Sequence, residues 1–412
     1  MCALVSPNTC LVIRTLASNA KLPGVNPVQN PYTPGAGTRP PVLAGREGQI
    51  AQFETLVDRL LAGRTEKGLM VTGLRGVGKT VLLTTFSDIA ESKGFRTAHH
   101  EITEAADFPV TIARMSRKLL SSLSSAERMK AHAVAALRIL KAFSLRIPNG
   151  PEIGLDVEAI TGIADTGTLA EDLPELFLAL GQAAEEANSG VMFFLDEIHY
   201  VPRMDLEALL AAVHRVGQEN LPVAVVGAGL PQLPGIAGQA KSYAERLFDF
   251  PWIGSLSVDH AVEAISRPAR DLEVEFEDAA LIRIVQLSAG YPYFLQEYGK
   301  HVWNLAENSP ISMADVNRCE QAVQSQLDEN FFRVRIWRTT PAERRYLLSM
   351  AELGDGPYRS SEIADALGMK MQSVAPTRAN LIHKGLIFSP EYGLSNFSVP
   401  KFADFMRRTY SE

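Results

Sequence analysis

Three glycines, a lysine and a threonine stand within eight residues of the stretch VTGLRGVGKTVLL, residues 71–83. Glycines let a backbone curl until successive N–H groups point inward, and a helix that follows adds the positive end of its dipole. This spacing predicts a nucleotide phosphate site in which Lys79 reaches the β- and γ-phosphates and Thr80 ligates Mg²⁺. The alternative is an ordinary glycine-rich turn. The expected binding residues are Gly73, Leu74, Arg75, Gly76, Val77, Gly78, Lys79, Thr80 and Val81.

An acidic pair ends a second apolar run, VMFFLDEIHY, residues 191–200. A carboxylate at the carboxyl end of a strand beside a phosphate loop holds Mg²⁺, a role that Asp196 fits. Glu197 then stands where it could accept a proton from an attacking water. The alternative is a pair of acidic residues that merely ends a strand at the surface. We expect Glu197 and Lys79 to be catalytic, and Thr80 and Asp196 to bind the metal.

The elements around these residues alternate between strand and helix. A helix over 49–61 precedes a strand over 68–73, and another helix runs from the glycine loop to Gly94. Further apolar runs at 95–102, 191–200 and 221–229 are typical of strands, and those at 191 and 221 suit central parallel strands buried on both faces. The pattern predicts an α/β fold with a parallel sheet.

Composition limits the other classes of protein. The 412 residues are 46% hydrophobic and carry a net charge of −7, so any nucleic-acid contact must come from a local basic patch. The three cysteines, Cys2, Cys10 and Cys319, lack the spacing of a zinc site or a disulfide framework. The sequence shows no signal peptide and no apolar run long enough to span a membrane, which favours a cytoplasmic protein.

Changes in pattern along the chain predict four parts. Residues 1–40 form a leader that ends in a Pro/Gly-rich stretch and is expected to lie over the next domain. Residues 41–255 form the α/β domain, in which alternation over 143–157 predicts an inserted β-hairpin. A purely helical region follows over 256–335, and a last domain covers 340–412.

The last domain has the order of a winged helix-turn-helix: three short helices and then two strands around residues 390–393. Residues 333–412 carry 12 Lys and Arg against 8 Asp and Glu, a net charge of +4. On the third helix, one expected face is buried and consists of Val374, Ala375, Ala379, Leu381 and Ile382. The other face could enter a major groove through Gln372, Ser373, Thr377, Asn380 and Lys384, whereas Arg378 falls toward the buried side. Protein docking is the alternative use of such a domain.

Together, VLAGRE (42–47), the glycine loop, FFLDEIH and GYPYFLQ (290–296) resemble an AAA+ P-loop ATPase of the origin-recognition-complex-like group, which borders the STAND ATPases. The resemblance covers roughly residues 40–412. It implies that the glycine loop is a Walker A motif and that FFLDEIH is a Walker B motif. It implies an αβα core, a helical lid over 256–335 and an adenine site bordered by Val42 to Arg46, including Gly45 and Arg46. It also implies that Gly290, Tyr291 and Pro292 lie in the lid near the nucleotide, whereas a plain helix-to-helix turn is the alternative.

The sequence departs from that family in two places. Many AAA+ proteins place a polar residue after the strand that here ends in Gly227, Ala228, Gly229 and Leu230, and many carry a lid arginine that SAGYPYFLQEY lacks. Both departures weaken the case for fast turnover. Arg246 stands where the family's arginine finger often falls, and its alternative role is pairing with carboxylates of its own helix.

Two functions follow from these expectations. The first is an ATP-hydrolysing protein with ATP and Mg²⁺ as ligands, which couples nucleotide state to a winged helix that binds double-stranded DNA. The second is a regulatory nucleotide switch with slow turnover that uses the winged helix to dock a protein partner. A homo-oligomer is compatible with either, and no membrane partner is expected.

Overall fold

The computed structural model describes residues 25–35, 37–123, 131–147, 157–354 and 356–411. Its first domain alternates helices with short strands, as the sequence pattern predicts. In chain order the elements are α1 (Glu47–Leu61), β1 (Gly68–Gly73), α2 (Lys79–Ser92), β2 (Arg96–Glu101), α3 (Phe108–Leu123), α4 (Ala131–Arg146), α5 (Leu169–Glu186), β3 (Val191–Asp196), α6 (Arg203–Gln218), β4 (Val223–Gly229), α7 (Leu233–Ala240), α8 (Ala244–Leu247), β5 (Phe248–Asp249) and β6 (Trp252–Ile253).

The strands form one parallel sheet in the order β2-β3-β4-β1-β5, with β6 also paired to β1. Every residue of β1, β3 and β4 is buried, because successive side chains enter two different cores. Phe193 packs into the core on one face and Phe194 into the core on the other. The sheet is therefore the middle layer of an αβα sandwich, with the carboxyl ends of β1 and β3 on the same edge.

A helical region follows the sheet, as expected for residues 256–335. It contains α9 (Val258–Arg270), α10 (Asp278–Ser288), α11 (Pro292–Leu305), α12 (Met313–Leu327), a π-helical turn (Asp328–Arg333) and α13 (Val334–Ile336). Side-chain caps at Ser257 and Ser312 begin α9 and α12. We call residues 256–336 the lid.

The N-terminal segment, residues 25–35 and 37–46, lies on the lid and also contacts the domain that follows it in sequence, where Arg39 pairs with Asp88 of α2 at 2.9 Å. The Tyr32 hydroxyl donates to the Ile265 carbonyl on α9 at 2.6 Å. The Trp303 indole on α11 donates to the Asn26 carbonyl at 2.9 Å. The leader therefore crosses the lid on its way to α1, and residues 1–24 lie outside the described part of the chain.

The last domain, which we call the C-terminal module, contains α14 (Pro341–Glu352), β7 (Tyr358–Arg359), α15 (Ser360–Ala366), α16 (Met371–His383), β8 (Ile387–Phe388), β9 (Leu394–Phe397) and α17 (Phe402–Tyr410). A capping box between Thr340 and Glu343 begins α14. The strands form an antiparallel sheet in the order β7-β9-β8. The expected three helices and two strands are present, whereas β7 and α17 were not foreseen.

The expected hairpin over 143–157 is wrong at its start. Residues 143–146 end α4, because Leu140 and Phe143 stand at helical spacing and are both buried. Residues 148–156 lie outside the described residues, so the remainder of the hairpin stays a prediction. Among the helices that the structure describes, none combines the length and apolar character needed to cross a bilayer.

Candidate nucleotide site

The glycine loop links β1 to α2 and needs its glycines for steric reasons. Gly76 and Gly78 have φ values of +80° and +93°, a backbone region that side chains disfavour. A Cβ at Gly73 would lie 2.4 Å from the Ile253 carbonyl oxygen, and one at Gly76 would lie 2.9 Å from the Tyr291 hydroxyl. The loop therefore curls tightly between the sheet and the lid, as the motif predicts.

Lys79 begins α2 and is buried, with 6% of its surface exposed. Its ammonium donates to the carbonyl of Gly73 at 3.1 Å and to that of Leu74 at 2.9 Å. Burial lowers the pKa of Lys79, while the carboxylates of Glu197 and Asp196 oppose that shift. The lysine is thus held at the start of the loop without an ion-pair partner within 4 Å among the described residues.

Thr80 and Asp196 meet although they are 116 residues apart. The Thr80 hydroxyl donates to Asp196 Oδ2 at 2.5 Å, and the amide of Glu197 donates to Asp196 Oδ1 at 2.8 Å. A hydroxyl and a carboxylate oxygen side by side are the hard donors that Mg²⁺ prefers. The described residues contain no group of three or more His, Cys, Asp or Glu side chains arranged to hold a metal.

Glu197 follows β3 in a left-handed conformation, with φ of +50°. Its side chain lines a cavity that opens over the glycine loop and is described below. Its Oε2 atom is buried without a hydrogen-bond partner among the described residues. Burial raises the pKa of Glu197, and the Lys79 ammonium opposes that shift. A buried carboxylate next to a phosphate loop can accept a proton in a reaction there.

His199 lies beside Glu197, a contact that the sequence did not predict. Its Nδ1 atom is 3.3 Å from Glu197 Oε2 and accepts a hydrogen bond from the Leu230 amide at 3.4 Å. A Cβ at Gly229 would be 3.4 Å from the same nitrogen, so the imidazole fills the space that the side-chain-free end of β4 leaves. Burial lowers the pKa of His199 to about 3, which keeps the ring neutral. The signal available in the sequence was a histidine three residues after Asp196.

A cavity of about 640 Å³ opens over the loop. Its wall is formed by the N-terminal segment, the glycine loop and the lid, which contributes Arg335. Its apolar part could face a base, and it includes Val42, Leu43, Ala44, Leu256, Pro292 and Leu295. Its charged part includes Arg46, Arg75, Lys79, Glu101, Glu197 and Arg335. The size and the mixed lining are those of a small-molecule site.

Two of the residues expected near the adenine have mainly structural contacts. The Arg46 guanidinium donates to the carbonyls of Val77 and Gly254, at 3.2 and 2.7 Å, and joins the N-terminal segment to the loop. Burial lowers the pKa of Arg46. Gly45 is not among the residues lining the cavity, and a Cβ there would lie 2.9 Å from the ring of His260.

The turn that carries Gly290, Tyr291 and Pro292 lies against the glycine loop. Gly290 has φ of +65°, and its carbonyl accepts from the Leu256 amide at 2.9 Å. The Tyr291 hydroxyl is buried without a partner among the described residues, next to Gly76. Pro292 lines the cavity. This turn is thus both a helix-to-helix connection and a wall of the site.

Arg246 lies apart from these residues. It is exposed on the short helix α8 and is not among the residues lining the cavity of its own chain. The structure records no ion pair between Arg246 and the carboxylates of its helix within the described residues. Its expected role as an arginine finger stays a prediction.

The third helix of the C-terminal module, α16, corrects several expectations. Val374 and Leu381 are buried, but Ala375 and Ala379 are exposed, because only a narrow stripe of α16 packs into the module. Gln372, Ser373 and Asn380 are exposed and Thr377 is half-buried, as a polar outer face requires.

Two basic residues of this region are held inside the module. Lys384 pairs with Glu343 at 2.8 Å and also donates to the Arg338 carbonyl at 2.9 Å. The expectation that Lys384 contacts DNA is therefore wrong for this arrangement. Arg378 donates to Ser395, Ser389 and the Leu394 carbonyl, which confirms its internal pairing.

The end of α16 contacts the α/β domain next to the glycine loop. The Arg75 guanidinium donates to the Tyr200 hydroxyl at 2.9 Å, and a Cβ at Gly385 would lie 2.7 Å from Arg75 Nε. His383 Nδ1 is 3.8 Å from the carboxylate of Glu104. The C-terminal module thus packs directly against a residue of the phosphate loop.

Comparison with known proteins supports the assignment of a nucleotide site to the first domain. Residues 42–226 match the AAA ATPase domain family, and residues 329–406 match a family described as a domain of unknown function (DUF8462). No curated protein matches the sequence. Residues 42–226 are therefore similar to the AAA ATPase domain family.

Solved structures share the fold at low sequence identity. The Walker-type ATPase PABY2304 of Pyrococcus abyssi is 16% identical, with 90% of this chain and 97% of that chain covered and a TM-score of 0.56. The Thermotoga maritima RuvB Holliday junction branch migration motor is 16% identical over 90% and 99%, with a TM-score of 0.45. Aeropyrum pernix ORC1 in complex with DNA is 15% identical over 90% and 94%, with a TM-score of 0.41. The first likeness shows the fold, and the other two superpositions are too loose to bear on function.

The fold is thus the α/β fold of P-loop AAA+ ATPases, with a parallel central sheet and many helices.

Proposed function

We propose that the chain binds and hydrolyses ATP at the cavity over the glycine loop. The observation that carries this proposal is the contact between Thr80 and Asp196, with Lys79 and Glu197 beside it. Residues from the ends of two strands thus bring a cation, two oxygen ligands and a half-buried carboxylate to one place. The AAA ATPase family match over residues 42–226 supports the same function.

The side chains divide the work of hydrolysis among them. Lys79 exchanges the carbonyls of Gly73 and Leu74 for phosphate oxygens, and the loop amides hold the remaining phosphate charge. Thr80 and Asp196 would hold Mg²⁺, which supplies neutralisation of the charge that builds on the phosphates. Glu197 takes a proton from the water that attacks the γ-phosphorus, while the bond from that phosphorus to the bridging oxygen breaks and ADP leaves.

The metal role of Thr80 has a direct test in nucleotide binding with and without Mg²⁺. Thr80→Ala should lose most of the gain in ADP affinity that Mg²⁺ gives the parent, whereas Thr80→Ser keeps the hydroxyl and should retain it. Thr84→Ala is a matched control, because Thr84 is a half-buried threonine one turn later in the same helix. An equal Mg²⁺ dependence in Thr80→Ala and the parent would contradict the assignment.

For the C-terminal module we propose a winged helix whose α16 binds double-stranded DNA. Support comes from the order of its elements, from the exposed Gln372, Ser373 and Asn380, and from the net charge of +4 over residues 333–412, which include the segment that leads into the module. Full-length protein with a non-hydrolysable ATP analogue should bind duplex DNA, and the slope of log affinity against log salt should gain about 0.9 per phosphate neutralised. Asn380→Ala should relax sequence preference without a change in that slope.

Docking of a protein partner is the second candidate for this module. Two observations favour it: Lys384 is held by Glu343, and the end of α16 packs on the chain's own α/β domain. These contacts remove one cation from the outer face and cover part of the helix. Absence of duplex binding at low salt, with and without nucleotide, would refute the DNA function and leave docking as the better proposal.

A further inference from the structure

Arg335 lies in the last turn of the lid, just before the C-terminal module, and its side chain lines the nucleotide cavity. Its Cζ atom lies 3.7 Å from the centroid of the Phe331 ring, and its Nη1 donates to the Phe331 carbonyl at 2.5 Å. Ring stacking and this one hydrogen bond fix the guanidinium. The structure gives its Nε and Nη2 atoms no hydrogen-bond partner among the described residues.

The charge of Arg335 has no nearby counterion. No Asp or Glu oxygen of the described residues lies within 4 Å of its nitrogens, whereas Arg333, two residues earlier, pairs with Glu329 at 3.1 Å. Burial lowers the pKa of Arg335 to about 10, so the group stays charged at neutral pH. A half-buried cation without a carboxylate is costly unless an anion comes to it.

The neighbours of Arg335 indicate which anion. Arg335 lines the same cavity as Arg75 and Gly76, and the Tyr291 hydroxyl lies against Gly76, 2.9 Å from where a Cβ would stand. Arg335 therefore faces the first half of the glycine loop, where Lys79 is held against Gly73 and Leu74. Because such a lysine reaches the β- and γ-phosphates, this is the end of the cavity for the terminal phosphates.

We propose that Arg335 binds the terminal phosphates of the nucleotide, so that the segment leading into the C-terminal module completes the ATP site of its own chain. The inference rests on the proposed ATP site. Its consequence is that the module senses the nucleotide: Arg335 lies within residues 329–406, which match one family, and Ile336 beside it is buried in the core shared with the module.

The test compares Arg335→Gln with Arg333→Gln, which removes the same charge from an exposed, ion-paired position nearby. Arg335→Gln should weaken a non-hydrolysable ATP analogue about tenfold or more, and ADP by a smaller factor, because it loses charge-assisted hydrogen bonds to phosphate. Arg333→Gln should stay within about twofold of the parent, as expected for an exposed pair. Arg335→Lys keeps the charge without the forked donors and should fall between Arg335→Gln and the parent.

Equal analogue affinity in Arg335→Gln and the parent, or an equal loss in Arg333→Gln, would overturn the inference. A parent that binds no nucleotide would instead refute the proposed function. A measurement without substitution guards against a variant that fails to fold: amide exchange of residues 333–338 in the parent should slow more with the analogue than with ADP. Exchange that the analogue leaves unchanged would also overturn the inference.

Discussion

Replacement of Lys79 by alanine tests the phosphate site most simply. Lys79 is 6% exposed and its ammonium already bonds two loop carbonyls at 3.1 and 2.9 Å, so it is placed to exchange these partners for phosphate oxygens. A hydrogen bond to a charged group contributes about 1.5–3 kcal/mol. Its loss corresponds to a weakening of ATP binding by about 10- to 150-fold.

The assay is isothermal titration with ADP and with a non-hydrolysable ATP analogue, at fixed Mg²⁺ and salt. Lys93→Ala is the matched control, because it removes a lysine that directly follows the same helix. The ammonium of Lys93 pairs with Asp58 on α1 at 2.6 Å and not with the glycine loop. Lys93→Ala should bind both nucleotides as the parent does. Parent-like affinity in a folded Lys79→Ala protein would refute the phosphate site.

Three further predictions concern neighbouring features. His199→Ala should lower the rate of ATP hydrolysis with nucleotide affinity unchanged. His199→Asn, whose side-chain oxygen can still accept from the Leu230 amide near the place of Nδ1, should recover part of the rate. Equal rates in both variants would refute positioning of Glu197 by His199. Burial by itself would raise the pKa of Glu343, but hydrogen bonds from Lys384 and from the cap of α14 lower this pKa overall. The stabilisation that the Glu343 carboxylate gives the folded state is therefore present above the unfolded pKa and is lost as pH falls through the folded pKa. Glu343→Gln should thus lower the free energy of unfolding by about 1.5–3 kcal/mol at pH 7, a difference that denaturant titration should find reduced below about pH 4. Arg246→Ala should slow hydrolysis, and excess Lys79→Ala subunits should restore part of the rate only if the arginine acts across subunits.

The sequence predicts the parts of the site that lie in continuous motifs. The glycine loop needs positive φ at Gly76 and Gly78, which only the residue type reveals, and β3 is apolar from Val191 to Leu195 because both of its faces are buried. The meeting of Thr80 and Asp196 follows from the parallel sheet, whose strands end at one edge.

Other features depend on packing between distant segments and leave no local pattern. The place of Arg335 depends on how Phe331 of the π-helical turn stacks on Tyr293, and nothing in its neighbouring residues indicates a cavity. Lys384 stands on the polar side of a helical wheel, yet its long side chain reaches Glu343. Helical spacing assigns a face to a residue, but it does not find the partner of a flexible charged side chain.

The most direct test of the central claim is ATP hydrolysis and binding by Glu197→Gln. Glutamine keeps the size of the side chain but cannot take a proton from water, so hydrolysis should fall by about 10²- to 10⁴-fold. ATP affinity should stay within a few-fold of the parent, because Lys79, Thr80 and Asp196 remain. Hydrolysis by Glu197→Gln at the parental rate would contradict the account.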